Sequence, residues 1–372
     1  MGMPDLLPEP PHSLDPVGRQ QQERQAFDPD ELADVLSRYD LGRIEQIRVY
    51  PYGSRQAPKV RITTSTGRFL LKRRAPGRDD PRRVAFAHGL LLYLADRGYP
   101  VSPPIRCRAG GDSLLAINGR IYELFAYVRG DRDDGSPASA AAAGEALGSL
   151  NRLLFDHRLS AGLKAGPPVG SYHAAAAVGE KLQLVPTAVA ACDPDTDRVG
   201  LRRVCDALLR AYCEAAQRAG EAGFAGWPRG IIHGDWHPGN LLYVDGRVVA
   251  VLDFDSARLE PRAADVANAA LQFSMRYGSS ADPRTWPPDL DFQRFRSLLC
   301  GVDRTTARII EPDEFLAIPW LMIEALVVES IVPIAATGSF GGMCGLRFLE
   351  MAQAKADFIA RRAKELAGSL KG

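Results

Sequence analysis

The sequence predicts an α+β fold of two lobes, a small antiparallel β-rich lobe followed by a large, mainly helical one. Residues 43–74 alternate β-branched and polar side chains and are broken at Gly53 and at a Ser-Thr-Gly turn, which is typical of three antiparallel strands. Later segments instead repeat apolar residues at helical spacing. At 372 residues the chain also exceeds one typical domain. We therefore predict an N-terminal lobe over 27–126 and a helical C-terminal lobe over 127–372.

The N-terminal lobe begins after residues 1–26, whose proline, glutamine and charged residues predict a disordered tail. Asp28 and Glu31 have the spacing of a capping box, with Pro29 in the first turn, and predict the start of a helix. Three strands, a helix and two more strands follow, near 43–51, 58–64, 68–74, 81–98, 113–117 and 120–125.

Helical periodicity covers most of the C-terminal lobe, over 138–155, 172–188, 197–220, 291–299, 312–336 and 346–366. The exception is 240–255, where Asp245 and Gly246 separate two apolar runs and predict a hairpin. The glycine-rich segment 338–345 joins two helices without a preceding strand, so we predict a connecting loop there rather than a phosphate-binding turn.

Composition and charge argue against several classes of protein. The chain is 46% hydrophobic and 24% charged, its net charge is +1, and no basic run dominates, so a nucleic-acid partner is not expected. The first residues lack the features of a secretory signal. The most apolar segment, 315–338, contains Glu324, Glu329 and two prolines, which predicts buried helices rather than a membrane span. The sequence does not indicate an oligomeric state.

The six cysteines are scattered along the chain and form no CxxC pair. This distribution favours free thiols in a reducing compartment over a disulfide framework or a zinc ribbon. We therefore expect a cytoplasmic protein.

The segment 231–243 concentrates polar residues between two apolar flanks, and two interpretations compete for it. His233 and His237 have the HxxxH spacing of a zinc-binding helix. However, Gly234 and Pro238 disfavour a helix here, the residue after the first histidine is not the glutamate of the zinc motif, and no third ligand has suitable spacing. A catalytic loop explains these residues better.

The spacing of Asp235, Asn240 and Asp253 supports the loop interpretation. Asn240 follows Asp235 by five residues, and Asp253 follows thirteen residues later, after the predicted hairpin. Kinases place a catalytic aspartate, an asparagine and a metal-binding aspartate in this order. Phosphoryl transfer needs a carboxylate at the acceptor hydroxyl, and carboxylate and amide oxygens suit Mg²⁺ better than imidazole does. The spacing therefore predicts phosphoryl transfer.

Over 231–268 the sequence resembles the aminoglycoside phosphotransferase and choline kinase-like family, with its HGDxxxxN loop and its IDFx acid. In the order and type of elements, the resemblance extends over 35–340. It implies a bilobal protein kinase-like fold, ATP as phosphoryl donor, Mg²⁺, and a small-molecule hydroxyl acceptor. Aminoglycosides, amino alcohols, homoserine and sugars all fit that class. No activation segment for a peptide substrate follows Asp253.

The resemblance also implies roles for individual residues. Asp235 matches the catalytic base, and Asn240 and Asp253 match the magnesium ligands. Asp255 stands where protein kinases place a glycine, and we add it to the metal set. The remaining polar residues are expected to support the loop: His233 through hydrogen bonds, and Asp265 as a helix cap that also ties the loop down. His237 either supports the loop in the same way, which we favour, or contacts the acceptor.

On the nucleotide side, Gly53 and Ser54 lie where the family has its phosphate-covering turn, although an ordinary hairpin turn remains an alternative. Lys72 resembles the phosphate-contacting lysine in position, with Arg73 and Arg74 as competitors for that role. The segment 122–130 matches the interlobe hinge, where the backbone of Glu123 and Phe125 is expected to bind adenine.

One departure from the family affects Lys72. Kinases pair this lysine with a glutamate from the following helix, but no glutamate lies between Arg73 and Tyr122, and His88 stands where the acid is expected. Lys72 is then held differently, or the phosphate clamp is weakened. This leaves a second hypothesis open, a catalytically weak or inactive kinase-like binding protein. The intact Asp235, Asn240 and Asp253 favour the enzyme.

Overall fold

The small lobe is built on one antiparallel sheet. A computed structural model describes residues 24–53, 55–155, 171–306 and 310–368. Its five-stranded sheet has the order β1-β2-β3-β5-β4, with the strands at Ile44–Val49, Lys59–Thr64, Gly67–Arg73, Leu114–Ile117 and Arg120–Ala126 for β1 to β5. All five lie where the sequence predicted them. Lys72 of β3 stands directly opposite Glu123 of β5.

Helix α1 (Pro29–Ser37) anchors the outer edge of this lobe. The predicted capping box is confirmed, because Asp28 accepts from the backbone of Glu31 and the Glu31 side chain accepts from the backbone of Asp28. Glu31 also pairs with Arg73 at 2.7 Å and accepts from the hydroxyl of Tyr122 at 2.6 Å. Of the predicted tail, Gln25 is described and accepts from Arg73, whereas residues 1–23 lie outside the described residues.

Helix α2 (Pro81–Ala95) follows the third strand and connects the lobes. Its N-cap is Asp80, with Pro81 in the first turn. Its buried side chains, Phe86, Leu90 and Leu94 among them, belong to the same apolar core as the helices of the large lobe. The core of the sheet is separate and includes Ile62 and Leu71. The position of α2 is therefore fixed by the large lobe.

The large lobe contains the six helices predicted from periodicity and, in addition, the helix that was predicted to open at Asp265. They are α3 to α9, at Pro137–Phe155, Ala177–Cys192, Arg198–Glu221, Arg262–Ser274, Phe292–Thr306, Pro312–Thr337 and Gly345–Gly368. Within the described part of the chain, only α8 is long and apolar enough to cross a membrane. Most of that stretch is buried against α4, α5, α6 and α9, so the predicted burial is confirmed.

Two short strand pairs frame the central segment. The predicted hairpin is β7 (Leu241–Val244) and β8 (Arg247–Val251), and its turn residues Asp245 and Gly246 have φ values of 50° and 73°, as a tight two-residue turn requires. The sequence did not predict β6 (Arg229–Ile232) and β9 (Arg258–Pro261). In the chain, β6 precedes the hairpin and β9 follows it, and the two strands pair with each other. Unlike the four-residue strand β7, neither of these strands is joined to its partner by a short turn that would mark it in the sequence.

The loop predicted at 338–345 is instead a small hairpin, which corrects that prediction. Strands β10 (Ser339–Phe340) and β11 (Met343–Cys344) pair across Gly341 and Gly342, whose φ values are 53° and 85°. A Gly-Gly pair suits such a turn because glycine adopts positive φ without a steric penalty. All six cysteines are free, as predicted.

Candidate active site

One buried carboxylate, that of Asp265, fixes the loop between β6 and β7 through hydrogen bonds to its backbone. Asp265 accepts from the backbone N–H of His233 at 2.7 Å and from that of Gly234 at 2.9 Å. The sequence predicted this tie but also a helix cap, and the cap is wrong: α6 begins at Arg262 and its N-cap is Pro261. Burial raises the pKa of Asp265, and the two N–H donors partly counter that effect.

His233 supports the loop through its ring. The backbone N–H of Asp235 donates to His233 Nδ1 at 3.2 Å, so the ring proton is on Nε2, which donates to the carbonyl of Leu252 at 3.0 Å. The ring is fully buried. Both ring nitrogens are therefore engaged within the protein, in agreement with the supporting role expected for His233.

Gly234 is required by close packing. Its φ is +78°, and a Cβ there would lie 2.4 Å from the carbonyl oxygen of Ser256. The guanidinium of Arg258 approaches from the same side and is paired with Glu260 at 2.5 Å. The catalytic loop is thus packed against the segment that follows Asp253.

Asp235 and Asn240 lie together at the open end of the loop. Asn240 Nδ2 donates to the carbonyl of Asp235 at 3.0 Å and to its Oδ2 at 3.3 Å. This arrangement leaves Asn240 Oδ1 as the atom that can bind a cation. The side chain of Asp235 is 40% exposed, so its carboxylate is accessible to a substrate.

His237 turns the chain between these two residues. Its Nδ1 accepts from the backbone N–H of Gly239 at 3.0 Å, which caps the short turn Pro238–Asn240. Its Nε2 lies 3.8 Å from Asp235 Oδ2. Burial lowers the pKa of His237 despite the nearby charge of Asp235, so the ring is neutral near pH 7.

Asp253 occupies a strained position at the end of β8. Its φ of 63° is in the left-handed region, which costs a non-glycine residue about 1 kcal/mol and is found mainly at functional sites. The carboxylate is exposed, and its charge acts on the ammonium groups of Lys59 and Lys72 across the cleft. Asp253 therefore faces the two lysines of the small lobe, and its assignment as a metal ligand stays a prediction.

Asp255 has a different role from the one predicted. Its two oxygens accept from Arg74 Nη1 and Nη2, each at 2.7 Å, and Lys72 Nζ lies 3.4 Å away. Burial raises the pKa of Asp255, but the charges of Lys72 and Arg74 outweigh it and hold that pKa below its usual value. Because this carboxylate is already paired, we correct its assignment from the metal set to an ion pair between the lobes.

Glu123 supplies the acid that the helix lacks. One carboxyl oxygen lies 3.8 Å from Lys72 Nζ, and Arg74 Nε donates to it at 2.6 Å. His88 Nε2 of α2 bonds the other oxygen at 2.8 Å. Burial opposes ionisation, but the surrounding cations and the hydrogen bond from His88 hold the pKa of Glu123 well below its usual range. Lys72 is therefore held by a strand residue, and His88 orients that residue.

This position corrects the adenine-binding role predicted for Glu123 and Phe125. Both residues lie inside β5, where their backbones pair with Lys72 and Leu70 of β3. The connection between the lobes starts only after Ala126, the last residue of β5. The sequence predicted a strand near 120–125 and a hinge over 122–130, and the overlap between them belongs to the strand.

The phosphate side contains one residue that the sequence reasoning missed. Lys59 lies opposite Lys72 on β2, and a Cβ on Gly53 would lie 2.5 Å from its ammonium nitrogen. The absence of a side chain on Gly53 thus lets this ammonium group pack against the turn. Ser54 lies outside the described residues. Lys59 could have been found from its place, because it is the first residue of the strand that follows the predicted phosphate turn.

Arg73 and Arg74 are excluded as competitors of Lys72. Arg73 forms an ion pair with Glu31, and Arg74 forms ion pairs with both Glu123 and Asp255. Lys72 retains a side chain that is 19% exposed. It is therefore the cation of this strand that can reach a phosphate.

A family model described as the phosphotransferase enzyme family (APH) matches residues 48–291. The chain belongs to this family. It is a small-molecule kinase that acts on hydroxyl groups. The resemblance noted in the sequence is confirmed, and the matched region includes strands β2 to β5 and the loop between β6 and β7.

The related proteins are kinases of small molecules. This kinase is 28% identical to a protein named homoserine kinase from Caulobacter sp. (strain K31) over 317 residues, which are 83% of this chain and 87% of that protein. It is 32% identical to one of the same name from Afipia carboxidovorans over 247 residues, 64% of this chain and 66% of that protein.

Solved structures share the fold. A microcompartment-associated aminopropanol kinase superposes with a TM-score of 0.66 at 15% identity, covering 91% of this chain and 99% of its own. An amicoumacin kinase in complex with AMP-PNP and Ca²⁺ has a TM-score of 0.62 at 14% identity, covering 92% and 93%. The predicted bilobal protein kinase-like fold is therefore confirmed.

Proposed function

We propose that this phosphotransferase transfers the γ-phosphoryl group of Mg²⁺-bound ATP to a hydroxyl of a small amino alcohol, with homoserine as the first candidate. The observation that carries the proposal is the contact of Asn240 with Asp235 at the open end of the loop. Asn240 donates to one oxygen of the Asp235 carboxylate, so the other carboxylate oxygen and the amide oxygen of Asn240 are available. The relatives named homoserine kinase support the choice of acceptor.

The nucleotide side fits a polyphosphate. Lys72 and Lys59 offer two ammonium groups on adjacent strands, and the Lys59 ammonium packs against the turn at Gly53, where a side chain would collide with it. Anionic oxygens suit a site with two cations and exposed backbone. In this proposal Lys59 is a second phosphate-binding residue beside Lys72.

The donor set for the metal fits Mg²⁺. Asn240 Oδ1 and the Asp253 carboxylate are oxygen ligands on the two sides of the hairpin. Among the described residues, no group of three or more His, Cys, Asp or Glu side chains could hold a metal ion. Mg²⁺ suits such a sparse set because it keeps waters and phosphate oxygens as its other ligands. When bound, the ion neutralises phosphate charge.

The chemistry assigned to the chain itself is positioning and proton transfer. Asp235 accepts the proton of the acceptor hydroxyl at its free carboxylate oxygen, while Asn240 donates a hydrogen bond to the other oxygen of the same carboxylate. The hydrogen bonds from Asp265 and His233 fix the loop before substrate arrives. The alternative of an inactive binding protein rested on a missing partner for Lys72 and on the degenerate phosphate turn, and the contact with Glu123 weakens the first of these arguments.

Asp235→Asn tests this function. It keeps the shape of the side chain and removes the base, so we expect kcat to fall by about 10²–10⁴-fold with ATP binding retained. The control is Asp245→Asn in the hairpin turn, which preserves a residue tolerant of positive φ and should leave kcat within about twofold. ADP release with a panel of amino alcohols, aminoglycosides and sugars measures both. Wild-type turnover in Asp235→Asn would contradict the proposal.

A further inference from the structure

Helix α8 carries three buried or largely buried acids, and they differ in their partners. Glu314 accepts from the backbone of Glu311 at the start of the helix. Glu324 pairs with His173 at 3.0 Å. Glu329 forms no ion pair with any described residue, although it is partly buried and close enough to Asp235 for that charge to act on it. Such a carboxylate is costly to bury without a cation.

The neighbours of Glu329 are polar and neutral. Gln272 Nε2 of α6 donates to Glu329 Oε2 at 2.5 Å. Asn268, one turn earlier on the same helix, faces this carboxyl outside ordinary hydrogen-bond limits, and its buried amide has no partner among the described residues. The amide oxygens of both residues are thus available to accept further hydrogen bonds.

The charges around this site do not compensate Glu329. Arg258 is the cation that acts on it, but its guanidinium is committed to Glu260 at 2.5 Å. Tyr172 and Tyr277 also face it and are neutral near pH 7. Burial and the charge of Asp235 raise the pKa of Glu329 to about 8. Glu329 therefore feels the charge of Asp235 and, among the described residues, has no ion-pair partner to offset it.

We infer that Glu329, Gln272 and Asn268 form a subsite for the ammonium group of the acceptor, next to the carboxylate that receives its hydroxyl proton. A primary ammonium has three donors, which match one carboxylate and two amide oxygens. It also neutralises the unfavourable pair of acids. This inference rests on the proposed function and deepens it, since it assigns the acceptor to small alcohols that carry an amino group.

The first experiment compares matched acceptors. Homoserine and 4-hydroxybutanoate differ in the amino group, as do 1-amino-2-propanol and 2-butanol. We expect the wild type to prefer each amino alcohol, and Glu329→Gln to reduce the ratio of kcat/KM between the members of a pair by at least about tenfold, mainly through KM. Asp313→Asn, at the exposed start of the same helix, is the matched control and should keep the ratio. An unchanged ratio in Glu329→Gln would overturn the inference.

The second experiment separates failure of the subsite from failure of the proposed function. Calorimetric titration of homoserine and 1-amino-2-propanol in the presence of Mg²⁺ and a non-hydrolysable ATP analogue measures binding without turnover. Binding that Glu329→Gln weakens by about tenfold supports the subsite even if no acceptor is phosphorylated. Turnover of the deaminated acceptors as good as that of the amino alcohols refutes the subsite while leaving the kinase function intact.

Discussion

Lys72 Nζ lies 3.8 Å from a carboxyl oxygen of Glu123, which stands directly opposite it on the neighbouring strand. Kinases usually supply this acid from the helix that follows the lysine strand. Here the helix contributes His88, which bonds the same carboxyl at 2.8 Å. The acid and the lysine are thus fixed by the register of one sheet, and the helix only orients the acid.

Glu123→Gln should impair both folding and nucleotide binding. The change removes one of the two carboxylates that neutralise Lys72 and Arg74 and leaves Asp255 as the other, and removing one partner of such a buried network costs about 3–5 kcal/mol. We expect ATP affinity to fall by at least about tenfold, measured by calorimetry, and the free energy of unfolding to fall in urea titrations. His88→Gln is the milder variant, because an amide still donates to the acid. Unchanged ATP affinity in Glu123→Gln would show that another group holds Lys72.

Substitutions of Asp253 and Asp255 should differ in their effect on the Mg²⁺ dependence of ATP binding. Asp253→Asn removes the charged ligand while keeping a residue that tolerates the left-handed backbone, so the Mg²⁺-dependent part of ATP affinity should be lost. Asp255→Asn weakens the ion pair with Arg74 and should lower ATP affinity with Mg²⁺ dependence retained. Titrations of ATP at several Mg²⁺ concentrations distinguish the two variants. Loss of the Mg²⁺ dependence in Asp255→Asn would restore that residue to the metal set.

Asp265→Ala should loosen the catalytic loop. It leaves the N–H groups of His233 and Gly234 buried without acceptors, at a cost of about 2–4 kcal/mol in unfolding free energy. We also expect a lower kcat, because the loop that carries Asp235 loses the two hydrogen bonds that fix its position. Asp265→Asn keeps one acceptor oxygen and should lie between the alanine variant and the wild type in both measurements. Full activity in Asp265→Ala would mean that the loop is held by its other contacts alone.

Glu329 should make the protein less stable at alkaline pH. Folding raises the pKa of this acid from 4.5 to about 8, so the folded chain binds a proton that the unfolded chain releases in that range. The associated stability is complete below pH 4.5 and is lost as the pH rises through 8. Glu329→Gln removes the titration and should raise stability at pH 8 by about 1–3 kcal/mol relative to the wild type, with little change at pH 5.

Thermal unfolding between pH 5 and pH 8.5, with Asp313→Asn as control, measures this difference. The other groups that face Glu329 are Asp235, Arg258, Tyr172 and Tyr277, and all four remain in the variant. Parallel pH profiles for the variant and the wild type would contradict the prediction.

The parts of the site that could be predicted are those set by local sequence. Asp235, Asn240 and Asp253 lie on one loop and one hairpin, so their spacing along the chain already limits their distances in space. The sheet and the helices were likewise readable from the period of their apolar residues. The role of His233 followed from its place inside the loop.

The parts that were missed depend on contacts between distant segments. Glu123 meets Lys72 only through the register of β3 against β5, which no local pattern encodes. Asp255 is two residues from Asp253, yet the short turn Phe254–Ser256 directs it to Arg74 instead of the metal. Glu329 lies on an apolar helix, where an acid is most simply explained as an interruption of the core.

The strand position of Glu123 has a consequence for control of the enzyme. Where the acid sits on a mobile helix, rotation of that helix can switch catalysis on and off. In this protein α2 is packed into the core of the large lobe, and the acid belongs to the sheet. Lys72 is therefore aligned whenever the small lobe is folded. We expect an enzyme that is always competent, whose output in the cell follows its abundance and the supply of its substrates.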